Sequence, residues 1–216
     1  MRSAVRGCSV IQARSRSRVF SYIVAHDSGF APNPFHGCCT LACCKPVIRR
    51  TAQEGDWVVG LSPRGETIIY AMQVQKVLPF ADYWRAHPKK RPRWFSKDER
   101  LRVGDNVYKP LGKGRFEQQP SCHSHPNGRP NRRTSATDLG GNNVLVSRRF
   151  VYFGSKAQPR PPELEFLVVG RGHRKTKEVE HLRTFERWFA RQRRGRRGPP
   201  MLTPSPATAR RTGRCG

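Results

Sequence analysis

Short apolar runs bounded by turn residues predict a chain built mainly of β-strands. Residues 20–25 predict a first strand, and residues 56–61 and 67–78 predict a second and a third. Two further strand-like runs lie at 144–146 and 150–153. Alternation along the third strand predicts one face with Ile69, Ala71, Gln73 and Gln75, and a buried face with Ile68, Tyr70, Met72, Val74 and Val77.

One helix is predicted near the end of the chain, from Lys177 to Arg194. Its apolar residues recur at helical spacing: Val179, Leu182, Phe185, Trp188 and Phe189. Acidic residues come early in this segment and arginines come late, which complements the helix dipole. Gly195 and the following Gly-Pro-Pro sequence are typical of a helix end.

The segment that follows the first predicted strand carries unusually many residues with special backbone geometry. Gly29 permits a turn conformation that other residues avoid, and Pro32 and Pro34 fix φ on either side of Asn33. Such a loop is shaped before any ligand arrives. Shaped loops at strand ends commonly bind ligands.

Several ordered sequence blocks carry a family resemblance. YIVAHDSGFAPNPF (22–35), CTLACCKP (39–46) and GDWVVG (55–60) are followed by IIYAMQV, GDNVY, VLVSRRFVYFG and GRGH. Together they resemble the nucleotide modification-associated domain 2 family over roughly residues 22–200. That family is found alongside DNA base-modification systems, so the resemblance implies a role in recognising or producing modified nucleotides.

These features predict an α+β fold with a mainly β core and a C-terminal helix. The order of strand, loop, GDWVVG strand and returning strand is similar to the opening of small, partly open barrels of the PUA, EVE and ASCH type. The same order could occur in an unrelated α+β domain. We expect one domain at 21–200, a disordered basic leader at 1–20 and a disordered basic tail at 201–216.

The chain is strongly basic, with 42 lysines and arginines against 15 acidic residues and a formal net charge of +27. A basic field attracts polyanions, so DNA or a nucleotide is the expected partner. The family resemblance implies DNA-modification enzymes as possible further partners. An arginine-rich proteome would raise the charge in the same way. No run of 18 apolar residues is present, which predicts no membrane partner. The family resemblance implies a cytoplasmic protein, and the arginine- and serine-rich start also matches a mitochondrial transit composition.

Four of the seven cysteines lie at 38, 39, 43 and 44. Structural zinc sites space their ligands differently, so no metal site is predicted, and the resemblance favours Cys39 and Cys44 as the candidate ligands if a metal binds. The alternative is that these cysteines are small buried residues. The odd count and the implied intracellular setting predict reduced thiols. No cofactor is identified by the sequence.

Three residues are candidates for catalysis. Cys44 is followed by basic residues that favour a thiolate nucleophile. His123, in a polar loop between prolines, is a candidate proton shuttle or ligand, although a histidine in an exposed loop is more often neither. Asp27, after the first strand, could act as a general base or accept hydrogen bonds from a base edge; it could equally cap its own turn, as could Asn33.

A nucleotide-binding cleft is predicted around the shaped loop. The glycines of GRGH allow close backbone approach and its arginine suits a phosphate, although a tight turn with a solvated arginine fits as well. The predicted contacts are Asp27, Asn33 and Phe35 at the base, Lys45, Arg49 and Arg50 along the backbone, and Arg171 and His173 near a phosphate.

The leading functional prediction is a nucleic-acid-associated domain that recognises modified nucleotides or helps to produce them. One alternative is an enzyme of the same pathway that modifies a base or nucleotide. A second is a structural tether that holds a modification complex through its basic tails. The P-loop, HExxH, GxSxG and zinc-deaminase signatures are absent from the sequence, so those common enzyme classes are not indicated.

Overall fold

The computed structural model describes residues 17–206. The predictions made for 1–16 and 207–216 lie outside these residues. The strands are β1 (Val19–Ile23), β2 (Cys39–Leu41), β3 (Trp57–Leu61), β4 (Thr67–Gln73), β5 (Lys76–Pro79), β6 (Tyr108–Gly112), β7 (Arg115–Gln118), β8 (Asn143–Ser147), β9 (Phe150–Tyr152), β10 (Gln158–Pro159), β11 (His173–Thr176) and β12 (Gly195–Arg196).

Helices are short except for the last. They are α1 (Pro46–Thr51), α2 (Phe80–Ala86), α3 (Glu99–Arg102), α4 (Arg132–Leu139) and α5 (Val179–Ala190), with 3-10 turns at Pro88–Lys90, Gly154–Lys156 and Pro162–Leu167. The predicted C-terminal helix is confirmed as α5. Its Phe185 and Phe189 rings pack against Trp57 at centroid distances of 5.1 and 4.5 Å.

Two sheets and a hairpin make up the β structure. The larger sheet has the order β11-β1-β3-β4-β9-β12, with β10 also pairing with β4, and the smaller sheet has the order β2-β8-β5. The strands β6 and β7 form a separate hairpin. Within residues 17–206 these sheets do not close into a barrel. The α+β class with a mainly β core is confirmed.

The alternation predicted for the third strand is wrong, because β4 is buried on both faces. Ile69 and Ala71, assigned to the outer face, are as inaccessible as Ile68 and Tyr70. β4 lies inside the larger sheet with β3 and β9 on either side. Apolar clusters cover both of its faces, so no outer face remains to be polar.

The predicted strand 67–78 is interrupted where the chain passes from one sheet to the other. β4 ends at Gln73 and β5 starts at Lys76 in the smaller sheet. The Gln75 side-chain oxygen accepts the backbone N–H groups of Arg148, at 2.6 Å, and Arg149, at 3.2 Å. Since Arg148 and Arg149 lie between β8 and β9, this glutamine ties the two crossings between the sheets together.

Residues near both ends of the described range join the core. Val19 and Phe20 are buried in β1, and Arg18 forms an ion pair with Asp56 at 2.6 Å. At the other end, the Leu202 N–H donates to the Asp27 carbonyl at 2.9 Å. No helix among residues 17–206 has the length and apolar character needed to cross a membrane.

Candidate active site

A strained turn between β2 and α1 presents Cys44. Cys44 and Lys45 have φ values of +59° and +41°, in the left-handed region that non-glycine residues seldom occupy. Pro46 then starts α1 at the position where a missing N–H has no cost to the helix. Cys44 is partly exposed, whereas the other four cysteines of residues 17–206 are buried.

Cys44 is the first member of a chain of contacts with His123 and Asp138. The Cys44 Sγ lies 3.5 Å from His123 Nε2, and His123 Nδ1 lies 2.6 Å from Asp138 Oδ2. A carboxylate oxygen only accepts hydrogen bonds, so the proton on Nδ1 is donated to Asp138 and Nε2 faces the sulfur. A nucleophile, a base and an orienting carboxylate in this order form a Cys–His–Asp triad.

Asp138 is fully buried near the end of α4 and is held by three donors. Its Oδ1 accepts the Cys44 N–H at 2.7 Å, and its Oδ2 accepts the Tyr108 hydroxyl at 2.8 Å in addition to His123. The same carboxylate therefore fixes both the backbone of the nucleophile and the orientation of the imidazole. Neither group can shift without breaking a charge-assisted hydrogen bond.

The sequence suggested that His123 lies in an exposed loop. In the structure its side chain is buried. Its carbonyl accepts the Thr134 hydroxyl at 2.6 Å and the Gln118 side-chain amide at 3.2 Å. The Phe30 ring packs on the imidazole with centroids 4.7 Å apart. Contacts from three separate segments thus set the histidine in place.

The charges of the triad reinforce one another. Burial alone would lower the pKa of His123, but the adjacent Cys44 sulfur and Asp138 carboxylate outweigh it and raise this pKa well above its ordinary value. Burial would raise the pKa of Asp138, yet its contacts with His123 hold that pKa below the ordinary value. The site thus favours an imidazolium between the sulfur and a carboxylate.

The remaining cysteines differ from Cys44 in their environment. Burial raises the pKa of the Cys38, Cys39 and Cys43 thiols, so they remain protonated and poorly nucleophilic. In the described part of the chain, one group of side chains has a spacing that could hold a metal ion. It consists of Cys43, His123 and Asp138, whose ligand atoms lie within 4.8 Å of one another. A metal would need the Cys43 thiolate and would compete with the hydrogen bonds of the triad.

Arg49, predicted to contact a nucleotide, is buried behind the triad. Its guanidinium donates to the carbonyls of Cys44 at 2.7 Å and Asn143 at 2.9 Å, and to that of Asp138. This side chain ties the strained turn to the end of α4. A nucleotide contact of Arg49 stays a prediction.

Lys45 and Arg50 lie on either side of Arg49 along the chain. The Lys45 ammonium sits 4.7 Å from the centroid of the Tyr22 ring, and its partial burial lowers its pKa. Arg50 is exposed and donates to the Gly140 carbonyl at 2.7 Å. Lys45 is thus the cation beside the nucleophile.

Asp27 is buried and bonded within the chain. Its carboxylate accepts the Tyr152 hydroxyl at 2.6 Å and the N–H groups of Gly29 and Met201 at 3.4 Å. Burial raises its pKa despite these bonds. These contacts match the turn-capping alternative. Its base-binding and general-base roles stay predictions.

Asn33 is likewise committed to the protein. Its side-chain amide donates to the carbonyls of Gly29, at 3.1 Å, and Val103, at 2.8 Å, while its oxygen accepts from the buried Lys90 ammonium at 2.7 Å. The Phe35 ring is buried beneath the Arg196 guanidinium, 5.3 Å away.

The last two predicted nucleotide contacts lie at the edge of the larger sheet. Arg171 is exposed, and His173 starts the edge strand β11.

The structure brings together two of the three predicted catalytic residues, Cys44 and His123. It places Asp27 in a separate network with Tyr152.

Sequence reasoning missed two residues of the site, Asp138 and Tyr108. Tyr108 ends the GDNVY block that carries the family resemblance, so a signal for it was present. Asp138 lies in the polar segment 132–139, which has no apolar periodicity and was not predicted to be helical. Its position beside Cys44 arises from a contact 94 residues apart along the chain.

Comparison with known proteins identifies a family. No curated protein and no solved structure matches the chain. The family described as nucleotide modification associated domain 2 matches residues 16–205, nearly the same range as the folded core. Because that match covers most of its length, the chain belongs to the nucleotide modification associated domain 2 family.

Proposed function

We propose that this protein is an enzyme that modifies a nucleobase or nucleotide by covalent catalysis, with Cys44 as the nucleophile. The observation that carries the proposal is the chain of contacts from Cys44 Sγ through His123 to the buried Asp138 carboxylate. Involvement in nucleotide modification follows from the family; the covalent reaction is inferred from the triad.

The first step is attack of the Cys44 sulfur on an electrophilic carbon of the substrate. With the proton already on His123 Nε2, an S–C bond forms, and the electron pair of the attacked double bond moves to its oxygen or nitrogen. When the double bond reforms, a leaving group departs with the proton from Nε2. Water then gives a proton to Nε2 and attacks the same carbon, the S–C bond breaks, and the sulfur is released beside the protonated His123, so the triad ends as it began.

Other groups at the site have supporting roles. Asp138 holds His123 in the tautomer that accepts the proton and stabilises the resulting imidazolium. The Cys44 N–H is bonded to Asp138, so it is not free to stabilise charge on the substrate. The Lys45 ammonium, beside Cys44 in the strained turn, is the group we assign to developing negative charge.

A reader of modified bases is the other role that the sequence favoured. That role assigned Asp27 and Asn33 to the base, but both are buried and hydrogen-bonded to the chain's own atoms. A tether would act through the basic termini and gives no reason for a buried His–Asp pair beside a strained cysteine. The triad therefore favours the enzyme.

Two measurements on the full chain test the proposal. Iodoacetamide labelling, read by peptide mass spectrometry, should modify Cys44 in the native protein much faster than Cys38, Cys39 or Cys43. Nucleoside analysis of DNA and nucleotide pools from cells producing the protein should show a product that the Cys44→Ser variant does not form.

Cys43→Ser is the matched control, since it removes the neighbouring thiol and leaves the triad intact. It should retain both labelling at Cys44 and product formation. Product formation that survives Cys44→Ser would refute covalent catalysis by this residue. Loss with Cys43→Ser alone would favour the metal group over the triad.

A further inference from the structure

Two adjoining cavities form a groove on the side of the fold where the two sheets meet. The first has a volume of about 910 Å³ and lies between β5, the Pro88–Lys90 turn and the start of β2. The second, of about 600 Å³, lies against β9 and β12. Both are lined by His36, Gly37 and Arg148, so they are continuous. We call the combined feature the basic groove.

The lining of the basic groove carries positive charge and no acidic side chain. Two of its cations are already engaged: Lys90 is buried with its ammonium bonded to loop oxygens, and Arg100 is paired with Asp98. The other groove cations have no acidic partner among residues 17–206: Lys76, Lys89, Arg148, Arg194 and Arg196.

Two histidines of the groove respond to this field. Partial burial, followed by the nearby lysines and arginines, lowers the pKa of both His36 and His87. His36 also adopts a left-handed backbone, with φ of +58°, at the point where the two cavities join. A concave surface in which cations already disfavour further positive charge suits an anionic ligand.

Arg148 is held at the centre of the groove by the crossing between the sheets. Its N–H is fixed by the Gln75 side-chain oxygen at 2.6 Å, while its side chain is exposed. Lys76 and Lys89 line the first cavity, Arg194 and Arg196 line the second, and Arg148 lines both. The positive charge is thus spread over both cavities and is not gathered at one point.

We propose that the basic groove binds the phosphodiester backbone of a single-stranded nucleic acid. Cations distributed over two adjoining cavities match the repeated charge of such a backbone. A flexible single strand can bend into a concave groove, whereas duplex DNA, with a persistence length of about 150 base pairs, would touch only its rim. Phe35 and Phe150 are buried in the wall, so phosphate contacts rather than base stacking supply the affinity.

The test is a salt series of binding titrations with single-stranded DNA, single-stranded RNA and duplex DNA of one sequence. Lys89→Gln combined with Arg148→Gln removes two groove cations. The matched control, Lys113→Gln combined with Arg115→Gln, removes two cations from the β6–β7 hairpin. Arg171→Gln tests the separate phosphate site that the sequence predicted.

The groove variant should bind a single strand about tenfold more weakly at 0.15 M salt, and the slope of log K against log salt should fall by about 1.4. The hairpin control should change neither quantity. Weakening of DNA binding, RNA binding or both supports the proposal. An equal loss in groove and hairpin variants, tighter binding of duplex than of single strand, or a loss confined to Arg171→Gln would overturn it.

Binding by the groove is distinguishable from catalysis by the triad. Cys44→Ser should bind the single strand with unchanged affinity, because it alters no groove cation. If the groove variant loses binding while Cys44 keeps its fast alkylation, the two sites are separate parts of one protein. Failure of either result leaves the other standing.

Discussion

Replacing Asp138 by asparagine isolates the charge of the triad, because the side chain keeps its shape. The aspartate accepts from three donors: the Cys44 N–H, the Tyr108 hydroxyl and His123 Nδ1. An amide has one oxygen and one NH₂ group, so it cannot accept on both sides. Either the NH₂ group opposes the Cys44 N–H, or it faces His123 and forces the imidazole into the wrong tautomer.

The expected cost follows from these contacts. One buried donor or acceptor left without a partner costs about 1–3 kcal/mol. For a domain of this size each kcal/mol lowers the melting temperature by about 2–4 °C, so the variant should melt about 2–12 °C lower and remain folded at 25 °C. Loss of general-base assistance by His123 should slow alkylation of Cys44. It should also slow turnover of a substrate by about 100-fold or more.

The assay pairs iodoacetamide kinetics at Cys44 with NMR titration of His123. In Asp138→Asn the pKa of His123 should fall, because the carboxylate that favours its charged form is gone. Tyr108→Phe is the matched control: it removes one hydrogen bond to the same oxygen and leaves the carboxylate on the imidazole. If Asp138→Asn alkylates at the wild-type rate with an unchanged His123 pKa, Asp138 does not act through the histidine.

Three further outcomes are expected. The stability contributed by the His123–Asp138 pair should be lost as pH rises through the raised pKa of His123, and also as pH falls through the lowered pKa of Asp138. If urea melts over a pH series give the same profile for Asp138→Asn as for the wild type, the pair does not contribute in this way. Lys90→Met should lower the free energy of unfolding by about 3–5 kcal/mol, because the buried ammonium donates to four oxygen atoms of the 33–40 loop. A loss below about 1 kcal/mol in denaturant melts would refute that role. Gly141→Ala should destabilise the protein and slow Cys44 alkylation, because a methyl group there would overlap the Arg49 guanidinium; unchanged melting and alkylation would show that the turn does not depend on this packing.

The spacing of apolar residues predicted the last helix and most strands of the larger sheet. α5 has a clear apolar stripe. β3, β4 and β9 lie within the strand runs predicted from the sequence, and β1 and β8 overlap theirs. The break between β4 and β5 was not predictable in this way. It depends on Gln75, whose side chain bonds to Arg148 and Arg149 more than 70 residues later, and no local period encodes that contact.

The candidate site was predictable only in part, for the same physical reason. Cys44 could be suspected from its basic neighbours, and His123 from its loop. The distance of 3.5 Å between them arises from a contact 79 residues apart. Asp138 gave no signal, because a lone aspartate in a polar helix has the same local pattern whether it faces solvent or a histidine.

The buried polar residues show how a sequence can suggest a ligand site where the structure shows internal bonding. Asn33 between two prolines was predicted to contact a base. In the structure its side-chain oxygen instead accepts a hydrogen bond from the buried Lys90 ammonium. Asn33 and Lys90 both carry groups that hydrogen-bond strongly, and the fold pairs these groups with each other because neither could be buried alone.

The two proposed sites are connected by one short segment. Cys38 lines the basic groove and Cys44 is the nucleophile. Six residues fully extended span at most about 20 Å, so the groove wall and the reactive sulfur cannot be farther apart than that along this segment. A strand held by its phosphates in the groove would therefore keep a nearby nucleotide within reach of Cys44. Binding the backbone while leaving the bases free is what an enzyme needs if its target is a base within a chain rather than a free nucleotide.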